Sequence, residues 1–171
     1  MNTVAAVPTL VTCHANADFD AFAAMIAARR LYPGCCLLFP GTQDRGLQAI
    51  VQDEALRKKY NFVELTDIDF AAIGRLVAVD TRQRERLSHV APLLDREDMQ
   101  VEVWDHHPDT PNDIRCTASY MEIVGSVTAL LVLRLKEENI ALEAEEATLL
   151  GLGIYGDTGS FTYSSTSAKD F

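Results

Sequence analysis

Cysteine is scarce and badly spaced for crosslinking. Of four, Cys35 and Cys36 are neighbours while Cys13 and Cys116 stand alone, so the chain offers neither a CxxC pair nor a disulfide framework. Reduced, mostly buried thiols are expected. Basic residues are outnumbered too, 15 Lys and Arg against 25 Asp and Glu, and the formal net charge of -10 leaves no broad cationic face for nucleic acid. Any polyanionic substrate has to be held locally. No apolar run approaches the roughly 18 residues that span a bilayer, and Met1 to Leu10 lacks the basic start of an export signal. The expectation is a cytoplasmic protein with no membrane partner. Internal repeats and low-complexity linkers are missing as well, so one domain is expected, and 171 residues at 48% hydrophobic can bury a sizeable core.

What is present alternates short strand-like runs with longer helical ones. Thr9 to Cys13 reads as a strand, and Phe19 to Tyr32 as an amphipathic helix with Phe19, Phe22, Ala23, Ile26 and Leu31 at helical spacing. Pro33-Gly34 breaks it, and Cys35 to Phe39 supplies a second strand. A helical stretch follows between about Gln43 and Tyr60, then a short strand at Val63 to Leu65. Arg75 to Val79 and Gln100 to Trp104 read as strands separated by a helical Leu87 to Asp95. Two more helices are expected at Ser126 to Leu135 and Glu143 to Tyr155. The alternation predicts an α/β fold, a parallel sheet with flanking helices. Ser167 and Asp170 have the spacing of a capping box.

Chemistry gathers where strands end, the ligand-binding edge of such sheets. His14, Asp18 and Asp20 crowd one turn between the first strand and its helix. The carboxylates alone could be helix caps, but capping has no use for His14. Asp80 directly follows Leu76-Val77-Ala78-Val79, and Asp105-His106-His107 directly follows Val101-Glu102-Val103-Trp104. A lone strand-end Asp is usually a turn or cap residue; two histidines behind it add nitrogen ligands or proton carriers. Gly151 to Ser160 reads as a helix ending in a glycine-rich turn that exposes Asp157, and a helix C-cap explains the glycines but not the carboxylate.

His14-x-Asn16-x-Asp18-x-Asp20-Ala21, Asp80-Thr81, Asp105-His106-His107 and Gly153-x-x-x-Asp157-Thr158-Gly159-Ser160-Phe161 resemble the four ordered motifs of the DHH phosphoesterase superfamily. The resemblance covers nearly the whole chain. Val79-Asp80-Thr81-Arg82-Gln83 and Phe161 to Thr166 look closest to the N-terminal domain of bacterial multidomain tRNA nucleotidyltransferase or poly(A) polymerase-like proteins. In that branch a DHHA1-type substrate domain, CBS domains and a nucleotidyltransferase head follow, so 1–171 is expected to be a DHH domain cut before them. Two departures are visible: Ala17 stands where many members have Pro, and Phe22-Ala23-Ala24 where Gly-Ser is frequent.

The resemblance implies that His14, Asp18 and Asp80 hold one cation and that Asp20, Asp80, His106 and Asp157 hold another, with Asp80 bridging. It also implies that Asp105 supports the histidines and that His107 faces the substrate phosphate. Physically, four carboxylates in one cleft repel each other and an anionic substrate unless about four positive charges are supplied, as two divalent cations would do. Mixed carboxylate and imidazole donors suit Mn²⁺ first, with Co²⁺, Zn²⁺ or Mg²⁺ as alternatives. Two functions follow as expectations. One is metal-dependent hydrolysis of a phosphate ester of a nucleotide, cyclic dinucleotide or short oligonucleotide; the other is a non-catalytic metal- and nucleotide- or RNA-binding accessory domain. Expected partners are that substrate, further domains of the same chain and, as an option, a second copy in a homodimer.

Overall fold

Thr9–Thr12, Arg75–Val79 and Gln100–Asp105 place apolar residues such as Leu10 and Val11, Leu76 and Val77, or Val103 and Trp104 on both sides because the sheet they build is covered on both faces. In the computed structural model, which describes residues 8–171, the strands are β1 (Thr9–Thr12), β2 (Asn16–Ala17), β3 (Cys36–Leu38), β4 (Thr42–Gln43), β5 (Arg75–Val79), β6 (Gln100–Asp105) and β7 (Ala118–Met121). The α-helices are α1 (Phe19–Leu31), α2 (Arg45–Val51), α3 (Glu54–Tyr60), α4 (Val127–Glu137) and α5 (Ala144–Asp157). Five strands form one sheet in the order β3-β1-β5-β6-β7, every pairing parallel. Residues 1–7, on which most of the export-signal reading falls, lie outside the described residues. Among the described residues, no helix is long and apolar enough to cross a membrane.

Strand alternation sorts the core into two layers. Val11, Val77, Val79 and Trp104 face a cluster completed by Phe22, Met25 and Ile26 of α1, Leu131 of α4 and Leu150 of α5. Leu10, Leu76, Ala78, Val101 and Val103 face Leu87, Val90 and Leu93 on the opposite side. The helices α1 and α5 pack so closely that a Cβ on Gly153 would lie 2.5 Å from Ala23 Cβ and 3.0 Å from the Phe19 carbonyl. Small residues on both sides of that crossing explain why Ala23 interrupts the larger apolar residues of α1.

Four local expectations are corrected. Gln43 to Tyr60 is two helices, because the Asp53 side chain caps a new one by accepting from Ala55 N at 2.8 Å and Leu56 N at 3.1 Å. Val63 to Leu65 is not a strand: Phe62 makes an isolated bridge to Leu37, and Leu65–Asp67 is a 3₁₀ turn. Arg84–Asp95 is 3₁₀ rather than α, broken at Ser88 (φ 48°, ψ -121°) and carrying Pro92, which has no N–H to continue an α-helical ladder. Asp157 is not in the turn but is the last residue of α5. Edge strand β7 was not anticipated, since Ala118–Met121 is half exposed and shows no apolar run. The short β2–β4 pair, which ties Asn16 to Thr42 and Ala17 to Gln43, was also missed.

Candidate metal centre

Neighbours β1 and β5 sit where chain order reverses in the sheet, with β3 beside one and β6 beside the other. That reversal opens a crevice at the carboxyl ends of the strands. His14 lies two residues beyond β1, Asp80 directly after β5, and Asp105 ends β6. Asp80 adopts φ 58°, a left-handed conformation that Asp tolerates better than bulkier residues and that is common at strained functional positions.

Two clusters form around the two oxygens of Asp80. Asp80 Oδ2 lies 3.2 Å from His14 Nε2, and the same nitrogen is 3.8 Å from Asp18 Oδ2. Asp18 is also the N-cap of α1, its Oδ1 accepting from Ala21 N at 3.0 Å. Capping and clustering therefore coexist, one oxygen each. Asp80 Oδ1 lies 3.4 Å from His106 Nε2, which in turn is 3.3 Å from Asp157 Oδ2 and 4.0 Å from Asp20 Oδ2. His14, Asp18 and Asp80 form one group able to hold an ion, and Asp20, His106 and Asp157 form another.

The orientation of His106 is set from behind: Nδ1 donates to the Val124 carbonyl at 2.9 Å, which leaves Nε2 aimed at three carboxylates. Buried as they are, His106 Nε2 and Asp80 Oδ1 have no hydrogen-bond partner among the described residues. A cation among these groups would use both atoms, and the oxygen and nitrogen donors suit a divalent metal. The residues present therefore fit the group that the sequence implies.

Proton affinities carry the strain of this crowding. Burial, then the charges of Asp80 and Asp157, push Asp20 up to about 7. Burial and Asp80 likewise push Asp157 up to about 6. For Asp80, burial alone would raise the value, but contacts with His106 and His14 outweigh it and bring it to about 2. Burial works against charge on His106, yet Asp80, the Val124 carbonyl and Asp20 lift it to about 10. Without cations, the cluster is held together by protons.

Both oxygens of Asp105 are engaged by protein donors, although with Asp80, His106 and His107 it forms a third group close enough to hold an ion. Its Oδ1 accepts from His107 Nδ1 at 2.7 Å and from His106 N at 2.9 Å, while its Oδ2 accepts from Arg82 Nε at 3.2 Å. The bond with Asp105 raises the proton affinity of His107, against the effect of burial, and the ring is half exposed at the mouth of the site. Beside it a cavity of about 310 Å³ opens between Thr81, Arg86 and Thr110. Sequence reasoning assigned no role to Arg82, which also binds the His107 carbonyl at 2.7 Å and Asp109 at 2.6 Å and so fixes the loop behind both histidines. Its partners, which include Asp113 at 3.3 Å, lie 23 to 31 residues away, and no local pattern announces them.

The DHH family N-terminal domain model matches residues 8–154. The chain is 38% identical over 162 residues to an A-adding tRNA nucleotidyltransferase of Geobacter sulfurreducens, covering 95% of this chain and 18% of that protein. It is 30% identical over 109 residues to a probable bifunctional oligoribonuclease and PAP phosphatase of Streptococcus mutans, covering 63% of this chain and 33% of that one. An exopolyphosphatase-related protein from Bacteroides fragilis shares the fold with a TM-score of 0.76 at 16% identity, over 96% of this chain and 50% of its own. With four motifs converging on one crevice and a family match over most of its length, the chain belongs to the DHH family.

Proposed function

We propose that this chain is a metal-dependent phosphoesterase domain that hydrolyses a phosphodiester or phosphate ester of a nucleotide, cyclic dinucleotide or short oligonucleotide. One observation carries the reading: His106 Nε2, buried and without a hydrogen bond among the described residues, is ringed by Asp80, Asp157 and Asp20 oxygens within 4.0 Å. His14, Asp18 and Asp80 would hold one cation, and Asp20, Asp80, His106 and Asp157 a second, with manganese preferred over magnesium, cobalt or zinc. Two such cations, when bound, lower the pKa of attacking water and place positive charge at the phosphoryl oxygens. Asp105 holds His107 through Nδ1, so the exposed edge of that ring can donate to the phosphate and release a proton to the leaving oxygen. The cavity by Thr81 and Arg86 has room for part of the substrate beyond the reacting phosphate.

A second reading, a non-catalytic domain that binds metal and nucleotide or RNA ends, is favoured by the Geobacter relative, which is named for nucleotide addition and of which this chain spans 18%. Under either reading the chain works with further domains. The deciding experiment counts Mn²⁺ by equilibrium dialysis, then compares this chain with a longer protein carrying it on a nucleotide bisphosphate, a cyclic dinucleotide, a short RNA and pyrophosphate. Metal-dependent turnover lost on His107→Ala supports hydrolysis. Two bound equivalents with no turnover in either protein would leave the accessory reading standing alone.

A further inference from the structure

We propose that Val124–Thr128, braced from behind by Asp170, positions the ligands of one cation site and not the other; this rests on the metal-centre reading above. None of the five residues offers a ligand atom to either cluster. Yet the Val124 carbonyl accepts from His106 Nδ1 at 2.9 Å. Two residues on, Ser126 Oγ and Thr128 N donate to Asp20 Oδ1 at 2.8 and 3.0 Å, and Val127 N donates to Asp20 Oδ2 at 2.8 Å. One short segment thus holds two ligands of the same group, Asp20 by its carboxylate and His106 by the far side of its ring.

The segment is itself held. Gly125 N donates to Asp170 Oδ2 at 2.9 Å, and that oxygen also accepts from Ser167 N at 2.7 Å and Ser167 Oγ at 2.8 Å. Asp170 is 4% exposed. A side chain at position 125 would strike Thr158 Cγ2 at 2.7 Å and Asp170 Oδ2 at 3.0 Å, so glycine is needed for this close approach. Thr158 directly follows the third ligand, Asp157. Asp20, His106 and the residue beside Asp157 all bear on one segment, whereas neither His14 nor Asp18 receives a hydrogen bond from it. A helix cap alone would account for Ser126 Oγ accepting from Ala129 N, but not for the same oxygen donating to Asp20.

The test uses Asp170→Asn and Ser126→Ala, with Asp53→Ala as a control that loses a remote helix cap. Two readouts are taken: a two-site Mn²⁺ isotherm, and the His106 ring Nδ1–H proton in the metal-free chain by NMR. Loss of an outer partner typically weakens metal binding about tenfold or more, so one equivalent should weaken by that factor while the other stays within about twofold. The His106 ring proton should shift and exchange faster in Asp170→Asn, and Asp53→Ala should change neither readout. Folded variants that keep both equivalents and an unmoved ring proton would overturn the proposal. So would equal weakening of both equivalents with the ring proton unchanged. If Asp170→Asn does not fold, Ser126→Ala decides by the same criteria. If the unsubstituted chain binds fewer than two cations, the metal-centre reading fails, and the ring proton still decides whether Asp170 acts on His106.

Discussion

His14 and Asp18 come from the short stretch between β1 and α1, one on either side of β2, whereas Asp20, His106 and Asp157 are gathered from the first turn of α1, the end of β6 and the end of α5. Asp18 opens toward solvent, its side chain 40% exposed, while His14 beside it is buried; in the other group Asp20 is buried outright and the Asp157 side chain is 33% exposed. The geometry of the His14 and Asp18 pair is set mainly by one short stretch of chain. A site assembled from three elements exists only while tertiary packing is intact. Asp80 joins the two, one oxygen facing each.

The largest effect is expected where the two halves meet. Asp80→Asn should weaken binding at both positions by more than about a hundredfold, the upper end for losing even an outer partner of a metal ligand. Calorimetry that returns unchanged Mn²⁺ stoichiometry and affinity would show that Asp80 does not serve both. Asp157→Asn, by contrast, should silence one equivalent alone.

Stability should divide the halves next. Asp20→Ala strands Ser126 Oγ, Val127 N and Thr128 N without their buried acceptor, a loss of about 2 kcal/mol or more in the metal-free chain. Asp18→Ala removes a partly exposed cap, for about 1 kcal/mol. Urea unfolding with chelator present measures both, and equal losses would erase the distinction between a local and a tertiary site.

The same division decides what the sequence could reveal. His14, Asp18, Asp80, Asp105 and Asp157 stand beside apolar runs or glycines, and side-chain chemistry at a strand end is visible in one dimension. The parallel sheet was legible for a similar reason, since β1, β5 and β6 are largely buried and each carries a short apolar run such as Leu76 to Val79. The brace on Asp20 was not, because two of its donors are backbone amides of Val127 and Thr128, more than a hundred residues away, and any residue but proline carries an amide. Ser126 read only as a helix start, which is true and incomplete. Strand β7 and the break at Ser88 escaped because an edge strand needs little apolar pattern and a 3₁₀ segment mimics the helical one.

Protons should separate the halves more gently. In the metal-free chain His106 is raised from 6.5 to about 10, so its contribution to stability is complete below 6.5 and is lost as pH rises through about 10. Asp20 and Asp157, raised from 3.8 to about 7 and about 6, also favour the protonated native state, and their contribution fades as pH climbs through those values. Bound cations reverse the trend, because protons compete for His106 Nε2. Thermal melts from about pH 6.5 to 8.5 should therefore fall with chelator and rise with Mn²⁺. A chelated protein that gains stability over that range, or a His106→Gln variant with the same crossing curves, would count against protons standing in for the metals.

The smallest effect tests whether either position merely follows global stability. Asp53 caps α3 from an exposed loop and belongs to neither cluster; its Oδ1 accepts from Ala55 N and Leu56 N. Replacing it with Ala should cost about 1 kcal/mol, a shift of roughly 2–4 °C in Tm for a chain of this size. Both Mn²⁺ equivalents should bind as before, because a folded population reduced by so little is still nearly complete. Were one equivalent to weaken in Asp53→Ala as it does in Asp157→Asn, its affinity would be tracking the fold as a whole. The contrast between a loop-built and a packing-built position would then lose its physical basis.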